Sequence, residues 1–176
     1  SFDEKDIRSM GRSAAGVRGI RLRDNDYVIG SAILEPESKV FVISENGYGK
    51  QTAASEYPIK GRGGKGIKTT NITEKNGPLA GLTTVNGDED IMVITDKGVM
   101  IRFKISDVSE TGRATLGVRL INLGADSIVS TMTKVEPEDE NENSEETTQE
   151  VSTEISDDTK DSDVARLLDA AQKDDE

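Results

Sequence analysis

Short runs of β-branched and other apolar residues, each closed by a polar turn that ends in glycine, recur along the first three quarters of the chain. Lys39–Ser44 and Asp90–Thr95 are two such runs. Glycine accepts the positive φ that tight hairpin turns require, so each run predicts the first strand of an antiparallel hairpin. The second strands are predicted at Tyr48–Ala53 and at residues 99–104.

Three further apolar segments complete the predicted strand pattern, one ahead of the first hairpin, one between the two hairpins and one after the second. They cover residues 28–34, Leu79–Val85 and residues 128–132. Apolar spacing of the kind that marks an amphipathic helix is absent from residues 1–133. The pattern therefore predicts an all-β fold for this part of the chain, in which each unit begins with one such segment ahead of its hairpin and residues 128–132 begin a third unit.

The predicted strands belong to an internal repeat of about fifty residues. Shifted by 51 positions, residues 41–47 lie on residues 92–98, and Gly30 lies on Gly81. A third, partial copy begins about 50 residues before the first complete one. Four short strands per fifty residues are typical of a β-propeller blade, a four-stranded antiparallel sheet, or of a related radial β architecture. A free-standing β-sandwich is the alternative, although duplication at this period is uncommon there.

The distribution of charge divides the chain into a nearly neutral part and a strongly acidic part. The net charge is -12, but residues 134–176 contain 17 acidic and 4 basic residues, whereas residues 1–133 contain 17 acidic and 18 basic ones. The expected organisation is a β module at 1–133 followed by an acidic tail at 134–176. With neither Cys nor His, the chain lacks thiolate metal ligands and the usual general base.

A glycine-rich basic loop follows each hairpin position of the repeat. Each copy has a Gly-Arg pair, a second glycine five residues after the first, and a basic residue two positions later. Glycine lets the backbone approach a bulky anion, and arginine or lysine neutralises phosphate. The predicted phosphate contacts are Arg12, Arg18, Arg62, Lys65, Lys68, Arg113 and Arg119. The predicted close-approach glycines are Gly11, Gly16, Gly61, Gly63, Gly64, Gly66, Gly112 and Gly117.

Carboxylates are grouped at two places, around Asp24 and Asp26 and at residues 88–90. Both groups fall in predicted turns that also contain Asn or Gly, where a carboxylate accepts hydrogen bonds from nearby backbone. We therefore expect solvated turns here, and neither a metal site, a cofactor nor a catalytic residue in this chain.

The repeated loops and hairpins resemble the C-terminal domain family of the bacterial DNA gyrase A protein, with the topoisomerase IV equivalent as a more distant relative. The strings that carry the resemblance are residues 10–20, 45–50, 56–58 and 94–98. They occur in order over residues 1 to about 133, at the spacing of the family.

The resemblance implies a six-bladed β-pinwheel, of which this chain would hold the last blades. It implies duplex DNA wrapped around the blade edge by the A protein of an ATP-hydrolysing type II topoisomerase that supercoils DNA. The parent would be an A2B2 heterotetramer, with catalytic tyrosine, metal and ATP sites elsewhere. The family's basic box, Q-[RK]-R-G-G-[RK]-G, is matched at Arg62–Gly66, whereas Lys60 and Gly61 depart from it.

The acidic tail is too polar to bury the surface that would offset the entropy of ordering, so disorder is predicted. One stretch, residues 163–172, has the apolar spacing of a short amphipathic helix. The tail is either a solubilising segment or a competitor of DNA for the basic loops. Deleting residues 134–176 and measuring DNA affinity at low salt separates these interpretations.

Taken together, the patterns predict sequence-independent binding of duplex DNA by a cytoplasmic protein with no membrane segment. The few aromatic residues, three Phe and three Tyr without Trp, disfavour base stacking on single strands. The alternative is a protein-interaction propeller that recognises acidic partners and has no role on DNA.

Overall fold

The structure, a computed structural model, describes residues 1–124 and 126–137 and is built from β-strands. Three one-turn 3-10 helices, Glu4–Asp6, Ala54–Glu56 and Ile105–Asp107, recur at the sequence period, and the described residues contain no α-helix. The strands are β1 (Lys39–Ser44), β2 (Tyr48–Ala53), β3 (Leu79–Val85), β4 (Asp90–Thr95), β5 (Met100–Lys104), β6 (Val118–Arg119) and β7 (Val129–Val135). The predicted all-β class is confirmed.

Both predicted hairpins form, and their turns are alike in detail. Gly47 and Gly98 each have a φ of 78°. Their N–H groups donate to the carbonyls of Ser44 and Thr95, each over 3.0 Å. Because this φ lies in the left-handed region, glycine is the residue that closes either turn without strain.

The strands form two antiparallel sheets, in the orders β3-β1-β2-β6 and β5-β4-β7. The pairing of β1 with β3 and that of β4 with β7 have equivalent registers, with Lys39 opposite Val85 in the first sheet and Asp90 opposite Val135 in the second. Each pairing also shifts register at its far end, at Ser44 and at Thr95. The structure therefore repeats where the sequence does, and it has the build of propeller blades.

The order of strands within a unit differs from the prediction. Leu79–Val85 was expected to belong with the hairpin that follows it, but it pairs with the hairpin before it. Residues 28–34, the equivalent segment one repeat earlier, do not form a strand. A strand needs a neighbour for its backbone hydrogen bonds, and the described residues contain no hairpin ahead of this segment. Val28 and Ile33 of this segment stay exposed, at 62% and 84%.

The chain after β5 turns back and covers the outer edge of the first sheet. The N–H of Gln51 donates to Ser109 O over 3.2 Å, and the N–H of Thr111 donates to Gln51 O over 2.8 Å. Strand β6 then pairs with the start of β2, through Tyr48 and Gly49. The outermost strand of the first blade is therefore supplied by the repeat that follows, and this pairing connects the two sheets.

In the described part of the chain, one cluster of buried apolar residues lies between the two sheets. In β1 every residue from Val40 to Ser44 is buried, whereas β4 alternates, with Ile91 and Val93 inside. The ring of Phe41 packs edge-on against Phe103 at 6.2 Å between centroids. One face of β4 thus remains half-exposed, while β1 and β2 of the first sheet are covered on both faces.

Strand β7 continues to Val135, two residues past the expected end of the module at 133. The prediction of disorder beyond that point and of a helix at 163–172 falls almost wholly outside the described residues. In the part of the chain that is described, no helix has the length and apolar character needed to cross a membrane.

Candidate nucleic-acid interface

The three basic loops adopt related conformations. They are named here loop 1 (residues 10–18), loop 2 (residues 60–68) and loop 3 (residues 111–119). Loops 1 and 3 both turn at the Gly-Arg pair, since the N–H of Ala14 donates to Gly11 O over 3.1 Å and that of Thr115 to Gly112 O over 3.3 Å. The second glycine of every loop has a φ between 77° and 82°.

The cationic side chains of these loops face solvent. Of the seven predicted phosphate-binding residues, six are exposed: Arg12, Arg18, Arg62, Lys65, Lys68 and Arg119. Arg113 is half-buried, and its Nε atom is enclosed without a hydrogen-bond partner. Exposed charge of one sign is what recognition of a DNA backbone requires.

Consecutive loops lie side by side and are bonded to each other. The Arg62 guanidinium donates from Nη1 to Arg18 O over 3.0 Å, which joins loop 2 to loop 1. The Arg113 guanidinium donates in the same way to Lys68 O over 2.8 Å, which joins loop 3 to loop 2. The backbone adds a third link, from Gly63 N–H to Gly19 O over 2.9 Å. The loops therefore form one continuous row.

Loop 3 is also fixed to the sheet by a buried lysine. The Lys50 ammonium group belongs to a residue that is 1% exposed, and it donates to Gly112 O over 2.7 Å, to Arg113 O over 2.6 Å and to Thr115 Oγ1 over 3.2 Å. Burial lowers the pKa of Lys50, while the nearby Glu56 carboxylate opposes that shift. Glu56 in turn accepts a hydrogen bond from the N–H of Arg113 over 2.9 Å. The turn that presents Arg113 is thus held from both sides.

At the far end of loop 3, Arg119 rests against an aromatic ring. Its guanidinium lies 5.3 Å from the centre of the Tyr48 ring and donates from Nη2 to the Tyr48 hydroxyl over 2.9 Å. Lys75 Nζ lies 5.6 Å from the same ring. The ring therefore holds two cations near the row of loops, since ring faces attract cations.

Sequence reasoning assigned no role to Tyr48, Lys50, Glu56 or Lys75. A lysine within a strand is ordinarily an exposed residue, so burial of Lys50 was not anticipated. The repeat held one signal for it, because Ile101 occupies the equivalent position one unit later. The contacts of the other three residues depend on chain segments far away in sequence, which the local pattern does not specify.

The loop glycines differ in what surrounds them. A Cβ atom would meet nothing within 4 Å at Gly11, Gly16 or Gly61. At Gly117 a Cβ would lie 2.6 Å from Gly49 O. The remaining predicted glycines have only moderate contacts, at 3.4 Å or more: Gly63, Gly64, Gly66 and Gly112. Gly117 therefore permits close approach to the protein's own sheet, whereas the open positions leave room for an external anion.

The carboxylates of Asp24, Asp26, Asp88 and Glu89 lie in or next to turns and bends, as predicted. Asp90 does not, because it begins β4, where it is 6% exposed and pairs with Arg102 Nε at 2.7 Å. Glu89 accepts hydrogen bonds from the N–H groups of Asn86 and Gly87 over 2.9 and 3.0 Å and contacts Lys134 Nζ at 3.2 Å. Burial alone would raise the pKa of Glu89, but these donors outweigh it and lower the pKa to about 2. Among the described residues, no group of His, Cys, Asp and Glu is arranged to hold a metal ion.

The sequence of this chain matches the model of a known protein family. The family model described as "DNA gyrase C-terminal domain, beta-propeller" matches residues 1–35, 38–86 and 89–136. These three matched segments cover most of the chain and follow its internal repeat. The chain belongs to this family. The resemblance inferred from the loops and hairpins is therefore confirmed, and so is the blade architecture.

Individual relatives agree with this assignment. The DNA gyrase A protein of Staphylococcus epidermidis is 53% identical over 142 residues, which cover 80% of this chain and 16% of that protein. A solved DNA gyrase A C-terminal domain matches with a TM-score of 0.70 at 25% identity, over 76% of this chain and 45% of the other. A solved DNA topoisomerase IV C-terminal domain, at 23% identity, covers 77% and 42% with a TM-score of 0.72 and supports the fold.

The gyrase-type domain in this chain thus spans about a sixth of the curated relative that it matches. Within that span the row of basic loops lies in matched residues of the family model, and so do the sheets that carry it.

Proposed function

We propose that the described module binds duplex DNA along the row formed by loops 1, 2 and 3, without reading base sequence. The observation that carries this proposal is the direct hydrogen bonding between successive loops, which joins three loops that carry six exposed cations into one row. Backbone contacts by Arg and Lys supply affinity but no sequence information. The row is therefore a backbone-binding surface.

Duplex DNA suits this surface better than a single strand does. Single-strand binding proteins stack bases on exposed aromatic rings. Here Phe41 lies in the core and Tyr48 is 7% exposed, with its ring engaged by Arg119. Tyr27, at 67% exposure, is an accessible ring outside the three loops. The loops themselves present charge without stacking surfaces.

Bending follows from binding to several loops in succession. Smooth curvature of 20–30 base pairs costs about 1–6 kcal/mol, and each neutralised phosphate offsets part of that cost. A duplex in contact with one loop alone would gain too little to bend. Contact with all three, which are joined in a row, would favour a curved path across the blades.

In the parent protein this module would belong to the A protein of a type II topoisomerase. The proposed partners are duplex DNA, the remainder of the A protein and the B protein, in an A2B2 complex that couples ATP hydrolysis to negative supercoiling. A cytoplasmic location follows from that role. We assign no cofactor and no catalytic residue to this chain.

The test compares affinities for two unrelated duplexes of equal length over a range of salt concentrations. We expect equal affinities and a steep fall with salt, because counterion release dominates such binding. Acidic peptides of matched charge are the competitor that examines the alternative, a propeller for acidic proteins. Preferential binding of the peptides, or a strong preference for one duplex, would contradict the proposal.

A further inference from the structure

Two arginines in equivalent positions make the same unusual bond. Arg62 follows the first glycine of loop 2 and donates to the carbonyl of Arg18, the last basic residue of loop 1. Arg113 follows the first glycine of loop 3 and donates to the carbonyl of Lys68, the last basic residue of loop 2. The bond thus repeats with the fold, from each Gly-Arg pair to the preceding loop.

The second of these bonds belongs to a set of hydrogen bonds between loops 2 and 3, and each such set between neighbouring loops is called here a seam. Thr70 Oγ1 donates to Thr115 O over 2.9 Å, and the N–H of Asn71 donates to the same oxygen over 3.4 Å. Arg113 closes the seam at Lys68, with its own N–H held by Glu56. A bond from a guanidinium is stronger than one between neutral groups, so Arg113 contributes a large share of this seam.

The first bond has corresponding support between loops 1 and 2. The N–H of Gly63 donates to Gly19 O over 2.9 Å, and the N–H of Arg21 donates to Gly64 O over 2.8 Å. Arg62 adds its bond to the neighbouring carbonyl of Arg18. Each seam therefore combines backbone bonds with one arginine side chain, and each ends at a residue whose own side chain is cationic and exposed.

We propose that Arg62 and Arg113 act as positioning residues, which hold the backbone of Arg18 and Lys68 so that these two side chains meet consecutive DNA phosphates. This inference rests on the proposed function and refines it, because it divides the loop cations into two kinds. Arg18 and Lys68 contact DNA, whereas the two arginines act mainly through them. The half-buried state of Arg113 fits that division.

Arg12 provides a matched control within the same chain. It occupies the equivalent place after the first glycine of loop 1, it is exposed, and its side chain has no hydrogen bond within the described residues. Arg12→Ala removes one charge from a Gly-Arg turn without breaking a seam. Arg113→Ala removes the same charge and also frees the carbonyl of Lys68.

The first measurement is amide hydrogen exchange on the whole chain without DNA. Arg113→Ala should speed exchange at Asn71 by about tenfold, because a charge-assisted bond in the same seam is lost. Arg62→Ala should do the same at Gly63, and its exposed position keeps that variant informative if Arg113→Ala fails to fold. Arg12→Ala should leave both amides unchanged. Unchanged exchange in both seam variants would overturn the proposal.

The second measurement is a double-mutant cycle on duplex affinity and its salt dependence. Arg113→Ala and Lys68→Ala should each reduce the salt slope by about one, and the double variant should lose little more than either. The double-mutant cycle of Arg62→Ala with Arg18→Ala should show the same non-additive loss of salt slope. Arg12→Ala combined with Lys68→Ala should be additive, since these residues share no seam.

Additive losses in the seam cycles would show independent phosphate contacts and overturn the positioning role. A general loss of stability would affect every pair of substitutions alike. Non-additivity confined to residues that share a seam would therefore indicate positioning and not general destabilisation. If the unmodified chain binds no duplex DNA, the proposed function fails, whereas the exchange data still decide whether the arginines hold the loops together.

Discussion

Replacement of Gly117 by alanine tests why loop 3 contains its second glycine. The φ of Gly117 is 82°, and an added Cβ would lie 2.6 Å from Gly49 O and 3.0 Å from Gly49 C. A left-handed conformation costs a non-glycine residue about 1–2 kcal/mol. Because the obstructing atoms are backbone, relief requires loop 3 to move away from β2, and such overpacking costs about 1–3 kcal/mol more.

Gly16→Ala is the matched control for this change. Gly16 occupies the same place in loop 1 with a φ of 78°, but a Cβ there would meet nothing within 4 Å. Gly16→Ala should therefore lower the free energy of unfolding by about 1–2 kcal/mol, and Gly117→Ala by about 2–5 kcal/mol. Urea unfolding monitored by circular dichroism measures both. Equal losses in the two variants would refute the role assigned to the contact with Gly49.

Two further predictions concern polar groups that fix the loops and turns. Lys50→Met keeps the aliphatic stem but leaves the Arg113 carbonyl without its donor and removes one of the donors to the Gly112 carbonyl, which Thr115 still contacts, so urea unfolding should show a loss of about 1–3 kcal/mol. A change below about 0.5 kcal/mol would mean that the ammonium is replaceable. The folded-state pKa of Glu89, about 2, lies below its ordinary value of 4.5, so its carboxylate stabilises the fold fully above pH 4.5 and progressively less as the pH falls toward 2. The stability difference between the unmodified chain and Glu89→Gln should shrink in that window, and a constant difference would contradict the assignment.

The hairpins were predictable because their determinants are local. Short apolar runs and a turn glycine specify β1 and β2 without reference to the rest of the chain. The pairing of Leu79–Val85 with the preceding hairpin was not predictable in this way, since either neighbouring hairpin offers an edge of the right length. Residues 28–34 have the composition of a strand, but a strand forms only where another backbone is available to it.

The loops show the same division between local and distant determinants. The Gly-Arg turns and their exposed charges followed from composition and spacing. The donation from Arg113 to Lys68 O spans 45 residues, and the donation from Lys50 to Gly112 O spans 62. Such bonds depend on which segments the blades bring together, so they emerge only once the path of the chain is known.

The central claim is that cations on successive loops bind the DNA backbone together. The salt dependence of duplex affinity tests this claim most directly. The variant to compare with the unmodified chain carries four alanines, at Arg18, Lys65, Lys68 and Arg119. Its slope of log affinity against log salt should be smaller in magnitude by about three to four, and equally so for two unrelated duplexes. A slope within about one of the unmodified chain, or an effect confined to one duplex, would contradict the claim.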